Sequence, residues 1–217
     1  VIREAIGEES YWLGCIAPYL PFVGYADGMR IGGDVGSRWD GGFCPQNMMR
    51  CLVGSNYMNH NYFQTDPDAV MLRDFQIRLT ERDIHSLALL AALSGGCIYT
   101  SDPLHRIAPD REKLFEFIQP DKRRKPTLPF LSEVRPEIVM VHKEEKKALV
   151  FVMNKAETDF RAAYTLESLG IPSGWNVFRF KTGEKEELWK EQLVVDIPPH
   201  GCRLYLVAED ENVVPDY

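Results

Sequence analysis

No apolar run in the 217-residue chain approaches the roughly 20 residues a membrane span requires. Basic excess is lacking too: 25 Lys and Arg stand against 32 Asp and Glu, a net charge of -7, which excludes a general nucleic-acid binder. There is no P-loop and no dinucleotide fingerprint. Gly32-Gly33 lacks the required spacing, and the neighbouring Asp34 would repel phosphate. The five cysteines, Cys15, Cys44, Cys51, Cys97 and Cys202, are odd in number and contain no C-x-x-C pair. That argues against a disulfide framework and a structural zinc site, and favours a reduced, cytosolic setting. His60, His85, His105, His142 and His200 are scattered without metal-ligand spacing, so neither metal nor cofactor is expected. No initiator Met, signal peptide or helix cap precedes Val1, which opens directly into the helical reading IREAIGEES. The expectation is a piece of a longer polypeptide. What remains is an ordinary globular composition, 45% hydrophobic and 26% charged.

The order of elements is informative. Residues 2–9 read as a helix. Residues 11–17 (YWLGCIA) and 24–31 read as strands, the second ended by a Gly pair. Pro45 to His60 reads as a helix, with Met48, Met49, Leu52, Val53 and Tyr57 at helical spacing and Pro in its first turn. Residues 61–65 (NYFQT) form a third strand running into Asp66-Pro67-Asp68. Thr80 and Asp83 suggest a capping box for a helix over 81–94, stopped at Gly95-Gly96. Residues 97–101 (CIYTS) form a fourth strand and 110–118 a last helix. Strand and helix thus alternate four times with short connections, which implies βα units on a parallel sheet. Four units make half of an eight-fold barrel, with unpaired edges and one open side of the core.

Beyond Pro120 the pattern changes. DKRRKP reads as a charged linker. Strands at 137–142 and 148–154 flank the turn KEEK, and further strands are expected at 160–166, 175–181, 192–197 and 202–208. The predicted division is a half barrel over 1–122, then a linker and an antiparallel β-sandwich over 123–217.

Catalytic groups on β/α barrels stand in the loops after the strands' C-terminal ends. Asp34 lies in such a loop, four residues after Arg30 and five before Trp39. It reads either as a proton donor to a leaving oxygen or as a loop Asp satisfying backbone amides. Arg30 would clamp a substrate hydroxyl or hold Asp34 in an ion pair. Trp39 offers an indole face to a pyranose, or simply packs. Asp66, Asp68 and Asp102, at the next strand ends, would orient the reacting groups or close Asx-type turns. Cys15, at the end of the first strand, reads on its own as a small buried hydrophobe.

The string IREAIGEESYWLGCIAPYLPFVGYADGMRIGGDVGSRW resembles the melibiase-type α-galactosidases among the glycoside hydrolases. So do NYFQTDPDAVMLR, LALLAALSGGCIYTSDPL and IPPHGCRLYLV, in the family's order and spacing across most of residues 2–208. The resemblance implies a (β/α)8 TIM barrel followed by an antiparallel β domain, with this chain starting near the fifth barrel unit. It makes Asp34 the general acid/base, Arg30 a sugar contact, Cys15 a neighbour of the sugar's 2-hydroxyl and Trp39 a wall of the pocket. It also implies a nucleophilic Asp in a Lys-Trp-Asp-like motif, and the chain contains no such motif.

A retaining glycosidase needs two carboxyl groups about 5–5.5 Å apart, one of them held protonated. The expectation is therefore part of an enzyme acting on terminal α-linked galactosides, inactive until the missing half, or a second copy, completes the barrel. The alternatives are a non-catalytic carbohydrate-binding protein and a barrel-complementing one.

Overall fold

The computed structural model describes residues 1–111 and 125–212, and these fall into two units, Val1–Lys125 and Pro126–Tyr217. The first is built on a short parallel sheet of β1 (Leu13–Cys15), β2 (Gly28–Arg30) and β3 (Gln64–Asp66), in that order. The register aligns Leu13 with Gly28 and Gln64, Gly14 with Met29 and Thr65, and Cys15 with Arg30 and Asp66. Side chains alternate across a sheet, so these last three residues share one level and one face at the strands' C-terminal ends. Met29, on the opposite face, is fully buried.

Helices α1 (Ile2–Ile6) and α2 (Tyr19–Phe22) are short and bury none of their residues. The first is shorter than its apolar pattern suggests, and the second is a single turn that the sequence reading did not anticipate. Arg3 ties α1 down, donating to Tyr25 O and Ser10 O and pairing with Asp27. Helix α3 (Pro45–Ser55) starts on proline and buries Met48, Met49 and Leu52 at the expected spacing. It stops before Tyr57, which is exposed. Helix α4 (Glu81–Ser94) opens with the complete capping box of Thr80 and Asp83 and closes on Gly95 in the left-handed conformation. Its Ile84, Leu87, Ala88, Leu90 and Ala91 are all buried.

The fourth strand expected at 97–101 does not form. Cys97 N–H donates to Thr65 O at 2.7 Å, as a neighbouring strand would. The Tyr99 carbonyl, however, accepts from Val70 N–H, beyond the end of β3, so no ladder follows. The parallel sheet consequently has three assigned strands. Of the last expected helix, residues 109–111 are helical, and the rest lies outside the described residues with most of DKRRKP.

The second unit is antiparallel throughout. Strands β4 (Glu137–Lys143) and β5 (Lys147–Asn154) form the expected hairpin. With β9 (Cys202–Ala208) and β7 (Asn176–Arg179) they make a sheet ordered β4-β5-β9-β7. Strands β6 (Phe160–Thr165) and β8 (Gln192–Ile197) pair as a second sheet. Val139, Val141, Val150, Val152 and Val207 join Leu193, Val195 and Ile197 in one core, the interdigitation expected of a sandwich. Asn154 locks the end of β5 by donating to the carbonyls of Thr158, Ile197 and Pro198.

Candidate active site

The C-terminal ends of β2 and β3 bring an arginine and three aspartates together. Arg30 ends β2 and is nearly buried. Its Nη2 lies 2.8 Å from Asp34 Oδ1 and 2.8 Å from Asp68 Oδ2. Their environments differ sharply. The Asp34 side chain is 70% exposed, whereas that of Asp68 is 12% exposed. Asp34 therefore faces solvent, held from behind by a fixed cation. Asp68 has three partners: its Oδ2 also accepts from Val35 N–H at 2.6 Å, and its Oδ1 lies 3.0 Å from the Tyr99 hydroxyl. Burial opposes the charge on Arg30, but the Asp68 and Asp34 carboxylates outweigh it and raise the guanidinium above its ordinary range.

Asp66 ends β3 and is fully buried. Its Oδ1 accepts from Asp68 N–H at 2.8 Å, the Asx turn that the Asp-Pro-Asp spacing suggested. Its Oδ2 lies 3.2 Å from the Tyr99 hydroxyl. Burial pushes the Asp66 carboxyl above the usual range, against the Asp68 N–H, the Tyr99 hydroxyl and the Arg30 charge. The turn holds Asp68 at a φ of 83°, a conformation few non-glycine residues adopt. This aims the Asp68 carboxylate back at Arg30 and at the loop carrying Asp34. The acid pair thus shapes the site from below and leaves Asp34 as the accessible carboxyl among these three.

The remaining sequence candidates separate. Cys15 is exposed at the end of β1, level with Arg30 and Asp66. Trp39 is 8% exposed and belongs to the core, so most of its indole is packed. Asp102 stands apart from the Arg30 group. Its side chain is fully buried, pairs with Arg73 at 2.6 Å and accepts from Leu72 and Arg73 N–H, a brace for the segment after β3.

Two tyrosines that the sequence reading passed over belong to the site. Tyr99 touches both Asp66 and Asp68; burial and the two carboxylates push its hydroxyl well above the ordinary phenol range. Tyr11 donates to Gln64 Oε1 at 3.0 Å and lies 3.1 Å from Cys97 Sγ. Both sit in short apolar runs, where a tyrosine reads as strand filler. The only sequence signal for Tyr99 is a hydroxyl three residues before Asp102, and Tyr11 has none. Among the described residues no group of His, Cys, Asp and Glu could hold a metal ion, and no helix is long and apolar enough to cross a membrane.

No protein-family model matches the chain. Solved structures do match its fold. A GH27 β-L-arabinopyranosidase from Geobacillus stearothermophilus, solved with arabinose, superposes with a TM-score of 0.75 at 16% identity, covering 89% of this chain and 49% of that one. Alpha-galactosidase I from Mortierella vinacea gives 0.71 at 12% identity, over 88% and 55%. The α-galactosidase MEL1 from Saccharomyces cerevisiae gives 0.64 at 12%, over 86% and 60%. The chain therefore has the fold of the C-terminal portion of such enzymes, half of a (β/α)8 barrel followed in sequence by an antiparallel β domain, and it spans about half the length of the structures it matches.

Proposed function

We propose that this chain supplies the acid/base side of a retaining glycoside hydrolase acting on terminal α-linked galactosides. The observation that carries the reading is the asymmetry around Arg30: one cation holds a largely shielded Asp68 and an exposed Asp34 at the C-terminal ends of parallel strands. Asp34 is the general acid that protonates the leaving oxygen, then the base that activates water. Arg30 orients it and, with Cys15 on the same level, faces the sugar's hydroxyls. Trp39, packed in the core, supports the loop that carries Asp34. Similarity in fold to α-galactosidases and an arabinopyranosidase supports a pyranoside as substrate.

The nucleophile comes from polypeptide outside this chain, since Asp68 is turned onto Arg30, Val35 N–H and Tyr99 and Asp66 is sealed from solvent. The sheet is built to receive such a partner. Among the described residues β1 pairs with β2 alone, and Leu13, Ile16, Leu20 and Tyr25 are exposed around it, whereas parallel sheets are normally covered on both faces. A missing N-terminal half of the barrel fits that edge; a second copy of this chain is the alternative complement.

The test is Asp34→Asn in the native gene product, assayed with an aryl α-galactoside. Loss of turnover is expected, with recovery when azide, a nucleophile that needs no general base, is added and the anomeric configuration is retained. Unchanged activity in Asp34→Asn would remove Asp34 from the mechanism. The 217-residue chain alone is expected to show no turnover, and activity there would overturn the missing nucleophile.

A further inference from the structure

The contacts around Tyr99 are one proton short. Its hydroxyl oxygen lies 3.2 Å from Asp66 Oδ2 and 3.0 Å from Asp68 Oδ1. A phenol carries a single donor hydrogen. If both aspartates were ionised, that hydrogen would serve one of them, and the other would press a carboxylate oxygen against the phenol's lone pairs; for Asp66, which has no exposure, no water is at hand to compensate. Such an unsatisfied charge is costly. One added proton gives every contact a donor.

The partners decide which aspartate carries it. Asp68 has two donors on Oδ2, the Arg30 guanidinium and Val35 N–H. Asp66 has a single backbone donor, Asp68 N–H on Oδ1, and no exposure to water. The groups facing it are Arg30 from β2, Asp68 from the following turn, Tyr99 and Cys97 from the segment after α4, and Tyr11 from the segment before β1. Arg30, the sole cation of this set, already neutralises Asp68 and contacts Asp34.

We infer that Asp66 is a neutral carboxylic acid that donates to Tyr99, which in turn donates to Asp68. Asp66 and Tyr99 are positioning residues in this chain of bonds. The order Asp66 to Tyr99 to Asp68 to Arg30 has one direction of donation as far as Asp68, and it fixes the carboxylate that fixes the arginine. It is a property of the folded sheet and holds whether or not the site meets a sugar.

Asparagine is the shape of the neutral acid. In Asp66→Asn the amide oxygen accepts from Asp68 N–H and the amide nitrogen donates to Tyr99. The sign follows from linkage. The unfolded chain releases the Asp66 proton near pH 4 while the folded chain keeps it, so wild-type stability declines as pH rises above about 4 and Asp66→Asn escapes that decline. Between pH 5 and 7 the unfolding constant of wild type is expected to rise about tenfold per pH unit relative to Asp66→Asn. Parallel pH dependence, or a loss specific to Asp66→Asn at pH 7, overturns the inference. Should that variant fail to fold, wild-type chain labelled with 13C at the aspartate carboxyl carbon answers alone. One carboxyl resonance is expected at the protonated position at pH 7, joining the ionised ones on denaturation. All aspartates ionised in the folded chain would overturn it.

Discussion

Replacing Asp68 with asparagine isolates the interaction that holds the site. The side chains of Arg30 and Asp68 are 11% and 12% exposed, so their ion pair is largely withdrawn from solvent. Removing one partner of a buried pair costs about 3–5 kcal/mol, because the surviving charge is stranded. Here Asp34 still contacts Arg30, at 70% exposure, which places the expected loss at the lower end, about 3 kcal/mol. An amide at position 68 can still offer its oxygen to Arg30 and Val35 N–H, but it brings no charge to Arg30 and turns its nitrogen toward the Tyr99 hydroxyl. Asp34→Asn removes the solvent-facing partner and is expected to cost about 1 kcal/mol or less. The assay is urea unfolding read by hydrogen exchange at the Ile31 and Val35 amides, which report this unit where a global signal would mix two. With a urea slope of about 1–3 kcal/mol/M, Asp68→Asn lowers the local midpoint by about 1–3 M at unchanged slope. If Asp34→Asn proves as damaging as Asp68→Asn, the assignment of Asp68 as anchor and Asp34 as the free acid is wrong.

A side chain at Gly96 would overlap the Thr65 carbonyl oxygen, which also accepts from Cys97 N–H. Gly96→Ala is expected to cost about 1–3 kcal/mol and to speed exchange at Cys97; a loss below about 0.5 kcal/mol, the range of neutral surface changes, would mean this crossing is not tight. In the second unit, burial pushes the Tyr205 hydroxyl up to about 12. The folded chain then holds a proton that the unfolded chain releases near pH 10, so stability falls as pH rises from about 10 to about 12. Tyr205→Phe should lose that fall in alkaline unfolding, and an unchanged pH profile would contradict it.

Local chemistry made much of this fold legible. The capping box at Thr80, the stop at Gly95, the proline start of α3 and the alternation of β8 act within one or two turns or along one strand, so the sequence carries their whole cause. The strand-end positions of Arg30 and Asp66 follow from the same reasoning, as do the ordering of a parallel unit before an antiparallel one and the resemblance that singled out Asp34. The fate of 97–101 could not be read, because its composition suits a strand and a different carbonyl acceptor, Val70's partner Tyr99, breaks the ladder. Nor could the roles of the acids. Asp34, Asp66, Asp68 and Asp102 are one residue type at similar strand ends, yet the first is exposed, the second sealed, the third paired with Arg30 and the last committed to Arg73. Burial and partner choice separate them, and both are set by residues distant in the chain, which parallel register brings to one level in the case of Arg30 and Asp66 and loop paths bring together in the case of Tyr99 and Arg73.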